Sequence, residues 1–171
     1  ELAVAWWPFW EAQSHLSEGR AWLDGLLLRV QDNSAGTVPV AIQAQALFGA
    51  GRLANMQGAF ARAEALFQAS LALFRNLDDT GGIAQALGWL GLALAQQGKH
   101  SQARPLAEES LLRCRALGNE HGAAFVLKCL GDVATQHRDY ERAVALYEES
   151  LAMFRQLRDA SGAAFVLHDL G

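Results

Sequence analysis

A glycine returns every 40 residues, at Gly51, Gly91, Gly131 and Gly171, inside segments that resemble one another along their length. In that register Leu47, Leu87, Leu127 and Leu167 coincide, as do Ala63, Ala103 and Ala143, then Ser70, Ser110 and Ser150, and Arg75, Arg115 and Arg155. A fixed period of this size marks stacked repeats, each unit packing on its neighbours instead of around one central core. It divides the chain into a diverged N-terminal repeat and linker over 1–40, full repeats over 41–80, 81–120 and 121–160, and the truncated first helix of a further repeat over 161–171. Such a layout points away from an enzyme with a single pocket and towards an extended binding surface.

Each repeat reads as two helices. In 81–120, Leu87, Leu90 and Leu94 are spaced by three and four residues and share a helical face beside Gly91. Gly98 interrupts the pattern, Ser101 is expected to cap, and Ala103, Leu106, Ala107, Ser110, Leu111 and Cys114 form a second helix that ends before Gly118 and Asn119. In the next repeat Asp139 is the expected cap. Abundant Ala and Leu with three prolines favour helix throughout, so the fold class is all-α. Gly91 and Gly131 are expected to let paired backbones approach, with Ala103 and Ala143 opposite; Phe67 and Tyr147 are expected to fill the gaps between hairpins.

Leu87, Leu90, Gly91 and Leu94, followed by Ala103 and Ala107, resemble the tetratricopeptide repeat signature, and the Gly-to-Ala spacing of 12 is kept in all three full repeats. The resemblance covers residues 41 to 171 clearly and 1 to 33 more weakly. The chain departs from the usual form of about 34 residues in its period. It also lacks Trp at the first signature position and has Arg75, Arg115 and Arg155 where a helix-ending Pro is common. The additional residues are expected to lengthen the second helix and the turn after it.

The resemblance implies an α-solenoid of stacked antiparallel helix hairpins wound as a right-handed superhelix, non-catalytic, whose first helices line a concave groove for a protein, a peptide or an effector. Carried over position by position, the groove comprises Gln45, Phe48, Arg52, Asn55 and Met56 in the first full repeat and Gln85, Gly88, Leu92, Ala95 and Gln96 in the second. Phe125, Lys128, Asp132, Thr135 and Gln136 follow in the third, then Phe165 and His168, with Trp89 one residue from the stripe. Trp89, Phe125 and Phe165 read equally well as packing between repeats. Arg52 and Lys128 are the groove's two cations, short of the dense basic set that grips C-terminal carboxylates.

At the N-terminus Leu16, Gly19, Trp22, Leu23 and Leu27 track Phe60, Ala63, Leu66, Phe67 and Leu71. The wording from Trp7 to Leu23 looks like the opening of the repeat domain in large bacterial signalling ATPases, some of them LuxR-type transcription regulators. That likeness implies a sensor or interaction part joined to a nucleotide-binding oligomerisation module; a stand-alone peptide-binding adaptor or scaffold is the alternative. A start at Glu1 and a stop at Gly171 inside a helix agree with a piece of a larger protein. Trp6, Trp7, Phe9 and Trp10 carry more aromatic area than one terminal hairpin readily buries, so this end is expected to dock a neighbouring domain of the same polypeptide.

Other chemistries find little footing. A net charge of −4 offers no basic face for nucleic acid. No uncharged apolar stretch is long enough to span a membrane, and no basic segment opens a signal peptide, so a cytoplasmic protein is expected. Cys114 and Cys129 fall in helical pattern and read as buried, reduced thiols. Glu108 with Glu109, and Glu148 with Glu149, are splayed neighbours on an outer helix face. His15, His100, His121, His137 and His168 lack metal-ligand spacing, and Gly98 with Lys99 lacks the rest of a phosphate loop. Ser110 and Ser150 sit at a small packing position. No catalytic residue, cofactor or metal is therefore assigned.

Overall fold

The computed structural model of the chain describes Gly25 and residues 38–170. The expected N-terminal hairpin with Trp6, Trp7, Phe9 and Trp10, and the last glycine, Gly171, lie outside the described residues. Among the described residues there are seven α-helices in regular succession and no strand: α1 (Val40–Met56), α2 (Phe60–Asn76), α3 (Thr80–Gln96), α4 (His100–Ala116), α5 (Glu120–Gln136), α6 (Tyr140–Gln156) and α7 (Ala160–Leu170). The chain forms two compact units, Glu1–Gly82 and Ile83–Gly171.

Helices α1 to α6 each have 17 residues and are joined by links at 57–59, 77–79, 97–99, 117–119 and 137–139. The long period is thus shared evenly between both helices, not placed in the second helix as the sequence suggested. Each helix stops by the same device. Gly58, Gly98 and Gly118 take φ of 75°, 76° and 64°, and Asp78, Arg138 and Arg158 take 52°, 61° and 57° at the equivalent place. The following amide then reaches back five residues, as Asp79 does to the Phe74 carbonyl at 3.0 Å and Lys99 to Leu94 at 2.9 Å, closing the last turn.

Helix starts are also repeated. Asp79, Asn119 and Asp159 accept from the amides of Gly82, Gly122 and Gly162, each at 2.9 Å. Asp139 caps α6, as its sequence position predicts, accepting from the Arg142 amide at 3.3 Å. Ser101 does not cap. Helix α4 begins two residues earlier than a Ser101 cap would place it, because left-handed Gly98 leaves Lys99 as the boundary and the Lys99 carbonyl already accepts from Gln102 and Ala103.

In the first unit α1 and α2 pack together, with Phe48 between Phe67 and Phe74 at centroid distances of 5.8 and 6.4 Å. A Cβ on Gly51 would stand 2.7 Å from the Phe67 ring, so this glycine makes room for a ring within its own hairpin. In the second unit α4 packs on α5, α5 on α6 and α6 on α7. A Cβ on Gly131 would lie 2.5 Å from the Tyr147 ring. Phe67 and Tyr147 therefore pack within their own hairpins, and Tyr147 also shares a buried cluster with Val166 of α7, which carries it into the gap before the next helix. Only at Gly91 is the expected backbone approach found, with the Ala103 carbonyl oxygen 3.3 Å from an added Cβ.

One hydrogen bond recurs with the repeat. Ser70 Oγ donates to the Ala44 carbonyl at 2.9 Å, Ser110 to Ala84 at 2.7 Å and Ser150 to Ala124 at 2.7 Å, all three serines being fully buried. A small residue is needed there for close packing, and the hydroxyl adds a fixed point that sets the second helix on the first.

Candidate functional site

On α5, Lys128, Asp132 and Thr135 are spaced by four and three residues and so fall on one face. Lys128 Nζ donates to Asp132 Oδ2 at 2.8 Å and to Asp169 Oδ2 on α7 at 2.9 Å, and stands 4.1 Å from the centroid of the Phe165 ring. From α6, the Tyr147 hydroxyl donates to Asp132 Oδ1 at 2.8 Å. The Thr135 hydroxyl lies 3.4 Å from it and donates to the Gly131 carbonyl at 3.0 Å. Gly131 is what allows Tyr147 to lie flat along α5 and bring its hydroxyl to this cluster.

The electrostatics follow from burial and pairing. Burial alone would depress the Lys128 ammonium, yet the charges and hydrogen bonds of Asp132 and Asp169 outweigh it and raise its pKa. Burial pushes the Asp132 carboxyl up against the opposing pull of Lys128 and Tyr147. Burial, reinforced by the aspartates, also raises the Tyr147 hydroxyl, which stays a donor.

These groups face a concave pocket of about 470 Å3 within the second unit. Leu92, Ala95 and Gln96 of α3 form one side, Gly98 and His100 follow them, and Gln136 lies beside the polar cluster. The His100 ring meets His137 edge-on at 5.9 Å.

Of the residues expected in the groove, the pocket brings together Leu92, Gln96, Lys128, Asp132 and Gln136, with Ala95 and Thr135. Trp89 and Phe125 are half-buried and stack on each other at 4.7 Å with 27° between the rings. Phe165 is 45% exposed, and His168 and Gln85 are exposed. In the first unit Gln45 and Met56 are exposed and Arg52 is half-buried, whereas Phe48 is a core ring and Asn55 is buried with no hydrogen-bond partner for Oδ1 among the described residues. Gly88 is buried as well, where a Cβ would approach Ser110 Oγ and Val126 at 3.0 Å. Lys128 is not presented as a free groove cation; its side chain is 7% exposed.

Tyr147, Asp169 and His100 join the pocket without having been expected there. Tyr147 shares its repeat position with Phe67 and Ala107, which marks it as core; the one available signal was a hydroxyl at that position, on the helix that follows the aspartate replacing Arg52 and Leu92.

Elsewhere three of the outer-face carboxylates are engaged in surface pairs. Glu108 meets Arg104 at 2.8 Å and Arg142 at 3.5 Å, Glu109 meets Arg113 at 2.8 Å, and Glu149 meets Arg115 at 2.7 Å. Cys114 and Cys129 are buried free thiols whose pKa values burial raises, the opposite of what a reactive cysteine needs. Among the described residues no group of three or more His, Cys, Asp or Glu is placed to hold a metal ion, and no helix is long and apolar enough to cross a membrane.

No curated protein sequence matches the chain. Among solved structures it is similar to BtubC (BKLC) from P. vanneervenii, with a TM-score of 0.70 and 18% identity over 90% of this chain. The match spans 61% of that protein's chain, so the likeness is one of fold. The sequence model of the tetratricopeptide repeat family matches residues 82–156. Helix hairpins at a fixed period, the Gly and Ala packing positions and this match agree: the fold is an all-α, tetratricopeptide-like solenoid, and residues 82–156 carry its match to the tetratricopeptide repeat family.

Proposed function

We propose that this chain is a non-catalytic interaction module that recognises a protein or peptide along the faces of its first helices. The observation that carries the reading is a contrast within the repeat. The serine, glycine and alanine packing positions stay the same, while the series Arg52, Leu92, Asp132 changes in size and charge from one repeat to the next. Packing alone gives no reason to vary charge in this way; recognition of one particular ligand does.

The setting we favour is the sensor or interaction part of a larger bacterial signalling ATPase or transcription regulator, where partner binding biases an attached domain. The likeness of residues 7–23 to such proteins supports it. A phosphate-binding loop encoded upstream or a helix-turn-helix downstream agrees with that setting; a lone repeat protein would favour the adaptor reading. The interaction itself is tested by selecting peptides from a randomised display library on the chain and mapping their contacts by NMR. Saturable shifts on α3, α5 and α7 are expected. Shifts confined to the outer face around Glu108 and Glu148, or no saturable binder, would sink the reading.

A further inference from the structure

We propose that the pocket beside Asp132 and Asp169 receives a cationic side chain, lysine or arginine, of the partner polypeptide; this rests on the interaction reading above. The sign of the ligand follows from how the charges are committed. The pocket's lining holds one lysine against two aspartates. The Lys128 ammonium already serves Asp132, Asp169 and the Phe165 ring and is 7% exposed. An anionic ligand would have to take that ammonium from two carboxylates and then sit beside both. The same cluster therefore leaves this pocket no free cation with which to clamp a carboxylate.

The aspartates, by contrast, retain capacity. Their side chains are 25% and 28% exposed. Asp169 uses Oδ2 for Lys128, and its Oδ1 has no hydrogen-bond donor among the described residues. A carboxylate oxygen accepts more than one hydrogen bond, and a cationic donor makes such a bond shorter and stronger. Leu92 and Ala95 give the pocket an apolar side along which the aliphatic stem of a lysine or arginine can lie, with the charged head at the aspartates. The stem argument selects a side chain over a small inorganic cation.

The test uses the full chain, labelled with 15N at pH 8, and four probes. Three are blocked pentapeptides, Ala-Gly-X-Gly-Ala, with X as arginine, norleucine or glutamate; the fourth is spermidine. The arginine peptide should shift the amides around Asp132, Gln136 and Asp169 saturably and bind at least about ten-fold more tightly than the norleucine peptide, the glutamate peptide not at all. Gln136→Lys adds a positive charge to the pocket without touching the Lys128 bridge and should abolish arginine binding at unchanged helicity. Asp169→Asn should weaken it about ten-fold, the scale of one charge-assisted contact. Glutamate binding as well as arginine, or arginine binding that survives Gln136→Lys, overturns the proposal. Spermidine saturating the pocket where the arginine peptide does not would overturn the polypeptide occupant. If display selects acidic or neutral peptides that shift this same pocket, the interaction reading stands and the cation assignment alone fails; if no peptide binds anywhere, both fail.

Discussion

Hairpin α3–α4 and hairpin α5–α6 share one register and solve the same packing problem differently. In the first, Gly91 faces Ala107 and the Ala103 carbonyl, and Cys114 stands near Gly122. In the second, Gly131 faces the Tyr147 ring and Phe154 lies against Gly162. The buried serine bond is the same in both, at 2.7 Å. The register is thus held by devices indifferent to ring size: the serine, the left-handed link and the helix cap. That leaves the remaining positions free to diverge, and where Leu92 and Gly88 become Asp132 and Lys128, Tyr147 turns from core filler into a hydrogen-bond donor to the pocket.

The largest expected effect breaks this contrast at its centre. Gly131→Leu drives a side chain into the Tyr147 ring, and overpacking at the upper end of its range costs about 3 kcal/mol. Chemical denaturation should report that loss; an unchanged midpoint would deny the glycine its role. Gly131→Ala sharpens the point. It should destabilise the parent protein but cost much less in a Tyr147→Ala background, which recreates the Gly91 and Ala107 arrangement, and the coupling is read from a double-mutant cycle.

Next in size is Lys128→Met, which leaves Asp132 and Asp169 facing each other without their cation. Breaking a fully buried pair costs about 3–5 kcal/mol; because these carboxylates keep part of their water, a loss of about 2 kcal/mol is expected. No comparable loss is expected from Gly88→Ala, which meets neighbours at 3.0 Å but strands no charge. The same cluster sets an alkaline limit. Lys128 and Tyr147 both have folded pKa values above their ordinary ones, so the folded state holds these protons more tightly. Their contribution is complete below roughly pH 10 and is lost as the pH rises towards the folded values. Unfolding free energies measured from pH 8 to 11 should fall more steeply for the parent than for Lys128→Met.

The register, the all-α class and the Asp139 cap were legible in the sequence because each is a local pattern: a period, a composition, a capping residue before a helix. The site was legible in part. Lys128 and Asp132 lie on a first helix, where the family positions point, whereas Tyr147 reaches them from the second helix and Asp169 from the next repeat, so no single-helix rule collects them. Ser101 misled because a Ser shortly after Gly is a good cap in isolation, while the left-handed link at Gly98 makes Lys99, two residues earlier, the cap position. Phe48 misled for the converse reason. A groove position filled by a large apolar residue is drawn inwards when Phe67 and Phe74 offer a ring pocket.

A smaller test asks whether the shared serine bond is worth the same in both hairpins. Ser110→Ala and Ser150→Ala each remove one buried donor, and the acceptor carbonyl keeps its place in its helix, so each should cost about 1 kcal/mol. Equal losses would support a register device independent of the surrounding rings. A loss at Ser150 several times that at Ser110 would mean that Tyr147 and Phe154 depend on it.

The smallest expected effect is a gain. The link within α3–α4 uses Gly98 at φ 76°, whereas the link within α5–α6 uses Arg138 at 61°, a conformation in which a Cβ crowds the following carbonyl. That crowding costs a non-glycine residue about 1–2 kcal/mol. Glycine removes the strain but widens the unfolded ensemble by about 0.5–1 kcal/mol, so the net gain from Arg138→Gly should be about 0.5–1 kcal/mol. For a chain of this size that is a rise in melting temperature of about 1–4 °C. The reverse change, Gly98→Arg, should lower it by a similar amount, since it imports the strain into the hairpin that lacks it. A matched pair of opposite shifts would show that the two hairpins differ at this link only by backbone strain. A fall in stability with Arg138→Gly would show that the arginine holds the link through its side chain, and the two hairpins would then differ in their turns as well as in their cores.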